Sequence, residues 1–161
     1  MIYRIKEKVW SQSGEFPIMD ESNSPCYFVK RQTFSWGIKF SFKDSNKNNL
    51  GYIGQKLYSW EPLYEIVSGG NHFGEVALKS GWFNSKKFIL NVFGSDNYII
   101  KGAFWKHEFE FTRKEMVVAR VSKKKWNWRD DYGVEILGSK DHFEILGTCI
   151  VIGQVQHDFK H

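Results

Sequence analysis

Cysteine is scarce in this sequence. The two that occur, Cys26 and Cys149, sit in apolar runs without the spacing of a disulfide framework. They read as reduced thiols, the usage expected of a cytosolic protein. Proline is nearly as scarce, with three residues, and Pro17 and Pro25 suit strand starts or edges. Long apolar runs are missing. The longest, Ile145 to Val155, is interrupted by Gly147, Thr148, Gly153 and Gln154 and is too short to cross a bilayer. The first eight residues are charged and alternating, so no signal peptide is expected. There is no low-complexity tract, heptad or collagen period, which sets aside fibrous and disordered classes. No Gly-x-Ser-x-Gly elbow and no phosphate loop occur. The histidines (His72, His107, His142, His157 and His161) find no cysteine or carboxylate at metal-ligand spacing within one element. No metal and no cofactor are therefore expected, and the chain is not expected to be an enzyme. Asp130-Asp131 reads as a solvated turn rather than an acid–base pair.

Aromatic side chains are plentiful, at 17% within a 42% hydrophobic composition, which is ample for a core. Lysine and arginine exceed acids to give a net charge of +5. A basic excess suits an anionic partner such as a membrane surface, or simply a lysine-rich soluble face. Nucleic acid is not expected.

The aromatics recur in a doubled pattern. Trp10, Ser13, Phe16 and Ile18 return as Trp82, Ser85, Phe88 and Leu90. Tyr27, Val29 and Lys30 return as Tyr98, Ile100 and Lys101. Trp36, Phe40 and Phe42 return as Trp105, Phe109 and Phe111. Ile53, Lys56, Tyr58, Trp60, Tyr64 and Ile66 return as Val121, Lys124, Trp126, Trp128, Tyr132 and Val134. Self-similarity at this period marks two copies of one structural unit, here residues 10–68 and 82–137.

Strict alternation of apolar and polar residues marks strands with one buried face. Ile38, Phe40 and Phe42 face one way, Lys39, Ser41 and Lys43 the other. Counting such runs between turn signals gives about twelve short strands, the signature of an all-β sandwich or barrel. Strand starts are expected at Tyr98, His107, Met116 and Tyr132 in the second copy. The last segment differs. Asp141 with Glu144 looks like a helix N-cap with its box partner, and the apolar residues of 142–157 point in all directions. That fits either a helix buried on every side or a thirteenth, β-branched strand.

In order and spacing, the motifs Phe16/Ile18/Asp20, Tyr27-Phe-Val-Lys30, Phe40/Phe42/Asp44, Leu50/Ile53/Lys56, Trp60/Tyr64, Gly102/Phe104/Trp105, Val121-Ser-Lys123 and Tyr132-Gly-Val-Glu-Ile136 resemble the LURP-one-related family. The length is similar to its bacterial members. That family sits in the tubby C-terminal and phospholipid scramblase superfamily. The resemblance implies a twelve-stranded antiparallel barrel around a central hydrophobic C-terminal helix. It also implies one domain over 1–161, because neither half could bury the helix alone. No activity comes with it. The superfamily's theme is recognition of anionic lipid headgroups, but the tubby cation motif does not align with this chain residue by residue.

The densest basic feature is Lys123-Lys124-Lys125-Trp126-Asn127-Trp128-Arg129. Lysines offer point charges to phosphates, and tryptophan suits a membrane interface. Because the first copy carries Tyr58 and Trp60 at the same place, these aromatics are expected in the core of the repeat. Lys123, Lys125 and Arg129 are then the additions. Lys123, Lys124, Lys125, Arg129, Lys30 and Arg31 form the expected site for an anionic, phosphoinositide-like headgroup. Asp44 to Asn49 resembles half of a calcium loop, but Asn49 stands where that loop needs glycine, so a hairpin turn is expected. The expected function is a non-catalytic, cytoplasmic, membrane-peripheral module binding anionic headgroups or another phosphorylated partner. The alternative is a structural or protein-interaction scaffold with no small ligand.

Overall fold

The structure, a computed structural model, describes residues 1–8, 14–80 and 86–159. Trp10, Ser13, Trp82, Ser85 and His161 lie outside the described residues. The strands are β1 (Ile2–Lys6), β2 (Glu15–Met19), β3 (Pro25–Phe34), β4 (Gly37–Asp44), β5 (Asn49–Gln55), β6 (Leu63–Ser68), β7 (Asn71–Ser80), β8 (Lys86–Val92), β9 (Tyr98–Ala103), β10 (Glu108–Arg113), β11 (Met116–Ser122) and β12 (Asp131–Ile136). A helix, α1 (His142–Phe159), follows. Each strand pairs antiparallel with its sequence neighbours, and β12 pairs with β1 to close the barrel. Closure leaves no sheet edge among the described residues to pair with another chain.

Twelve strands also set the bore. At a spacing of ~4.8 Å they give a circumference near ~60 Å and a diameter of roughly 20 Å before tilt. A helix with its side chains is about 10–12 Å across, so one helix plus the inward side chains fills the bore. Every residue of α1 from Phe143 to Val155 is buried, which explains a helix that is apolar on all sides. The helix reading of this segment therefore holds over the strand. Gly147 sits tightly against the wall: a Cβ there would lie 2.1 Å from Ile53 Cδ1 and 3.2 Å from Phe42 Cζ.

The inward residues are those the alternation selects. Phe16 and Ile18 on β2 match Phe88 and Leu90 on β8. Phe40 and Phe42 on β4 match Phe109 and Phe111 on β10. Tyr64 and Ile66 on β6 match Tyr132 and Val134 on β12. All are buried, and each pair lies six strands apart in the ring of twelve, on opposite sides of the helix.

β3 pairs with β4 down to Phe34 opposite Gly37. Two local expectations are corrected. His107 does not open β10. It takes a left-handed conformation (φ 53°) after a 3₁₀ turn at Phe104–Lys106 and stacks on Tyr132, ring centroids 4.4 Å apart. The capping box does not form either. The Asp141 carboxylate accepts the Tyr98 hydroxyl (2.6 Å) and lies 3.5 Å from Arg113. Glu144 accepts from the Ser68 hydroxyl at 3.1 Å. Both acids tie the helix start to the wall instead of capping it.

Candidate functional site

Because every strand pair is antiparallel, the connections leaving odd-numbered strands all emerge at one end of the barrel. Those leaving even-numbered strands emerge at the other. The helix follows β12, enters from the second end and delivers Phe159 to the first. Phe159 there shares a cleft with Leu57 and Trp60, and Lys86 Nζ lies 4.9 Å from its ring centroid.

The two ends differ in chemistry. At the first end, the fully described connections are residues 35–36, 56–62, 104–107 and 123–130. They carry six cations (Lys56, Lys106, Lys123, Lys124, Lys125, Arg129) against Glu61 and Asp130. They also carry all five described tryptophans. The second end is made of tight polar turns, with Lys47, Lys114 and Lys140 against Asp20, Glu21, Asp96, Glu115 and Asp141. Asp44 there accepts the backbone N–H groups of Asn46 and Asn48, each at 2.9 Å. Those bonds make the segment a hairpin turn and hold the Asp44 carboxyl below the usual range.

The basic loop after β11 is built by local hydrogen bonds. Glu108 of β10 accepts the N–H groups of Lys123 (3.0 Å) and Lys124 (2.7 Å), and Lys125 N–H donates to Ser122 Oγ at 2.9 Å. Burial works to raise the Glu108 carboxyl, yet these donors and the Ser122 hydroxyl outweigh it and hold it low. Asn127, at φ 52°, then turns the chain back over the outer wall. There Trp126 stacks on Trp128 with centroids 5.5 Å apart. Trp126 lies where a Cβ on Gly133 would be, 2.2 Å from its ring. Arg4 sits 4.6 Å over Trp128 and bonds Asp131 at 2.5 Å.

The six expected cations are thus placed in two groups. Lys123, Lys124, Lys125 and Arg129 share one loop. Lys123 is paired with Glu7 (2.5 Å) and Lys125 with Glu135 (2.7 Å). Lys124 and Arg129 are exposed, with no carboxylate within ion-pair distance among the described residues. Lys30 and Arg31 lie on β3, four strands away around the ring. Lys30 is exposed, while Arg31 turns the other way, its Nε donating to buried Gln154 of the helix at 3.3 Å. The structure does not bring these two to the loop.

It brings others. A groove of about 420 Å³ runs over the outer wall of β9, β10 and β11, floored by Gly102 and closed on one side by Trp126. Lys101, Arg120 and Lys125 reach it from three separate segments, beside Glu108 and Glu110. Arg120 is only loosely held by Glu110, at 3.7 Å. Lys101 and Arg120 escape a reading based on charge runs because each stands alone in its strand. Their outward register, Lys101 and Arg120 both opposite Glu110, is the signal that joins them.

The aromatics of the loops also differ from expectation. Tyr58 and Trp60 are not core residues but fully exposed. Trp36 is 64% and Trp105 61% exposed. Each falls between alternating runs, so the strand count itself puts it in a connection, outside the inward face.

The LURP-one-related family model matches residues 1–153. The uncharacterised protein YxjI of Bacillus subtilis (strain 168) is 33% identical over 154 residues, covering 96% of this chain and 93% of that protein. No solved structure matches. Closed barrel, threaded helix and whole-length match agree, and the chain belongs to the LURP-one-related family.

Proposed function

We propose that the chain is a non-catalytic, cytosolic module that holds an anionic lipid headgroup in the groove over β9, β10 and β11. The observation that carries this reading is the meeting of Lys101, Arg120 and Lys125 at one groove beside Trp126. Three point charges from separate segments suit a phosphate better than a linear basic run does, because they can approach it from different sides. Lys124 and Arg129 extend the positive field next to it. The reading does not rest on Lys30 or Arg31. On this reading membrane contact is peripheral. Among the described residues no helix is long and apolar enough to cross a bilayer. Two free thiols, Cys26 and Cys149, fit a reducing compartment.

Flotation with liposomes tests the reading. Vesicles containing phosphatidylglycerol recruit the protein at low salt, and recruitment fades as salt screens the charges. Each of Lys101→Glu, Arg120→Glu and Lys125→Glu weakens recruitment about fivefold or more, taking ~1 kcal/mol per cation near such a surface. Equal recovery on neutral and anionic vesicles at low salt would end the headgroup reading.

A further inference from the structure

The exposed aromatics at the first end of the barrel form a pattern that a headgroup groove does not require. Trp36 caps the β3–β4 turn, stacked on Phe34 with centroids 4.7 Å apart. Leu57, Tyr58 and Trp60 stand on the β5–β6 connection, and Trp105 on the turn before β10. Phe159 ends the helix, 56% exposed, between them. Trp36, Leu57 and Tyr58 share one apolar cleft, and Leu57, Trp60 and Phe159 share the next. The Tyr64 hydroxyl, buried in the second cleft, has no hydrogen-bond partner among the described residues. Trp105 lies across the barrel from Trp36, since β4 and β10 are opposite in the ring.

Large apolar side chains held out in water on separate tips mark an interaction surface. The shape of the array selects the partner. Tips distributed around the rim of a barrel, with one in the middle, meet a flat partner together. Lysines stand on the same tips: Lys56 precedes Leu57, Lys106 follows Trp105, and Lys86 covers Phe159. Tryptophan and tyrosine beside lysine is the residue mixture that settles at the headgroup level of a bilayer, rings toward the acyl chains and ammonium groups toward the phosphates. The opposite end exposes Phe93, Met116 and Leu137, but among the described residues it carries no tryptophan and has an acidic excess.

From this geometry we infer that the tryptophan-bearing end of the barrel is a membrane-docking face. It inserts Trp36, Tyr58, Trp60, Trp105 and Phe159 into the interfacial layer of a bilayer, with the barrel axis steep to the surface. The inference rests on the lipid reading in taking a bilayer as partner, and adds to it a contact face, an orientation and an insertion step. The groove edged by Lys101 and Lys125 opens beside the same end, near Trp105, because Gly102 and Glu108 flank that turn.

The test uses the full chain with phosphatidylcholine vesicles, with and without phosphatidylglycerol, and with lipid brominated on its acyl chains. Binding is expected to shift tryptophan emission to the blue, and brominated lipid to quench it. Tyr58→Ser/Trp60→Ser and Trp105→Ser should each lower recruitment roughly tenfold. Met116→Ser, at an exposed apolar residue of the other end, should leave it unchanged. Unfolding midpoints of all variants verify that the fold is intact. If anionic vesicles recruit the protein and charge reversal in the groove abolishes this, but bromine does not quench and the aromatic variants bind normally, the docking face is overturned and the headgroup reading stands. Quenching with no preference for anionic lipid keeps the face and removes the headgroup reading. Absence of recruitment to any vesicle overturns both.

Discussion

Gly147 offers a sharp probe of how the helix is seated. Replacing it with alanine has two opposed effects. Alanine is the better helix former by about 0.8–1.0 kcal/mol. Its methyl, however, would lie 2.1 Å from Ile53 Cδ1 and 3.2 Å from Phe42 Cζ, and overpacking of this kind costs ~1–3 kcal/mol. Gly147→Ala should therefore be destabilising by up to ~2 kcal/mol. Ile53→Val removes the clashing Cδ1 and alone costs about 0.5–1.5 kcal/mol. In the Ile53→Val background the alanine methyl no longer meets Cδ1, and Phe42 Cζ at 3.2 Å and the Cγ1 of residue 53 at 3.3 Å need give only a few tenths of an ångström. Gly147→Ala should then become neutral or stabilising. The four proteins of the cycle, compared by urea unfolding at constant m, should show a favourable coupling of ~1–2 kcal/mol. Additivity within about 0.5 kcal/mol would refute the contact and, with it, the rotation of α1 inside the barrel.

Other perturbations probe the same core. Ile150→Asp buries an unpaired carboxylate at a site with no exposure; the cost of several kcal/mol rivals a typical stability of ~5–15 kcal/mol, so soluble, cooperatively folding protein should not be recovered. Burial raises the Glu144 carboxyl above its usual value, with Ser68 opposing and Asp141 adding to the rise. The folded state then holds this proton more tightly than the unfolded state, so the residue destabilises at neutral pH and the penalty fades as pH falls through the folded value. Glu144→Gln should accordingly raise the unfolding midpoint at pH 7, and a gain that persisted unchanged in acid would contradict the assignment. Gly133→Ala pushes the Trp126 ring from its seat, 2.2 Å from the new methyl; a red-shifted emission and a loss of about 1–3 kcal/mol are expected.

The fold was legible because alternation acts on each strand separately. Phe40 and Phe42 or Phe109 and Phe111 announce an inward face whatever surrounds them. The helix needed more. Ile145 to Val155 shows no polar face, so periodicity alone could not separate it from a strand, and only the family likeness did. Loop chemistry was read least well. Tyr58 and Trp60 looked like core because they repeat, but repetition reports equivalent position and not burial. Lys101 and Arg120 were invisible as a pair because strand register, which joins them, is set by turns and bulges such as that between Phe111 and Thr112. Arg31 was read as a surface cation, whereas its register turns it inward to Gln154.

A closed sheet encloses α1, and thiol reactivity tests that enclosure most directly. Cys149 lies in the middle of the helix with no exposure, its thiol pushed far up by burial. Cys26 is half-buried on the wall. In a Cys26→Ser variant, Cys149 is predicted to react with a disulfide reagent only at the rate of global unfolding, measured independently by fluorescence. Rapid labelling of Cys149 under conditions where the barrel is fully folded would contradict the enclosed helix.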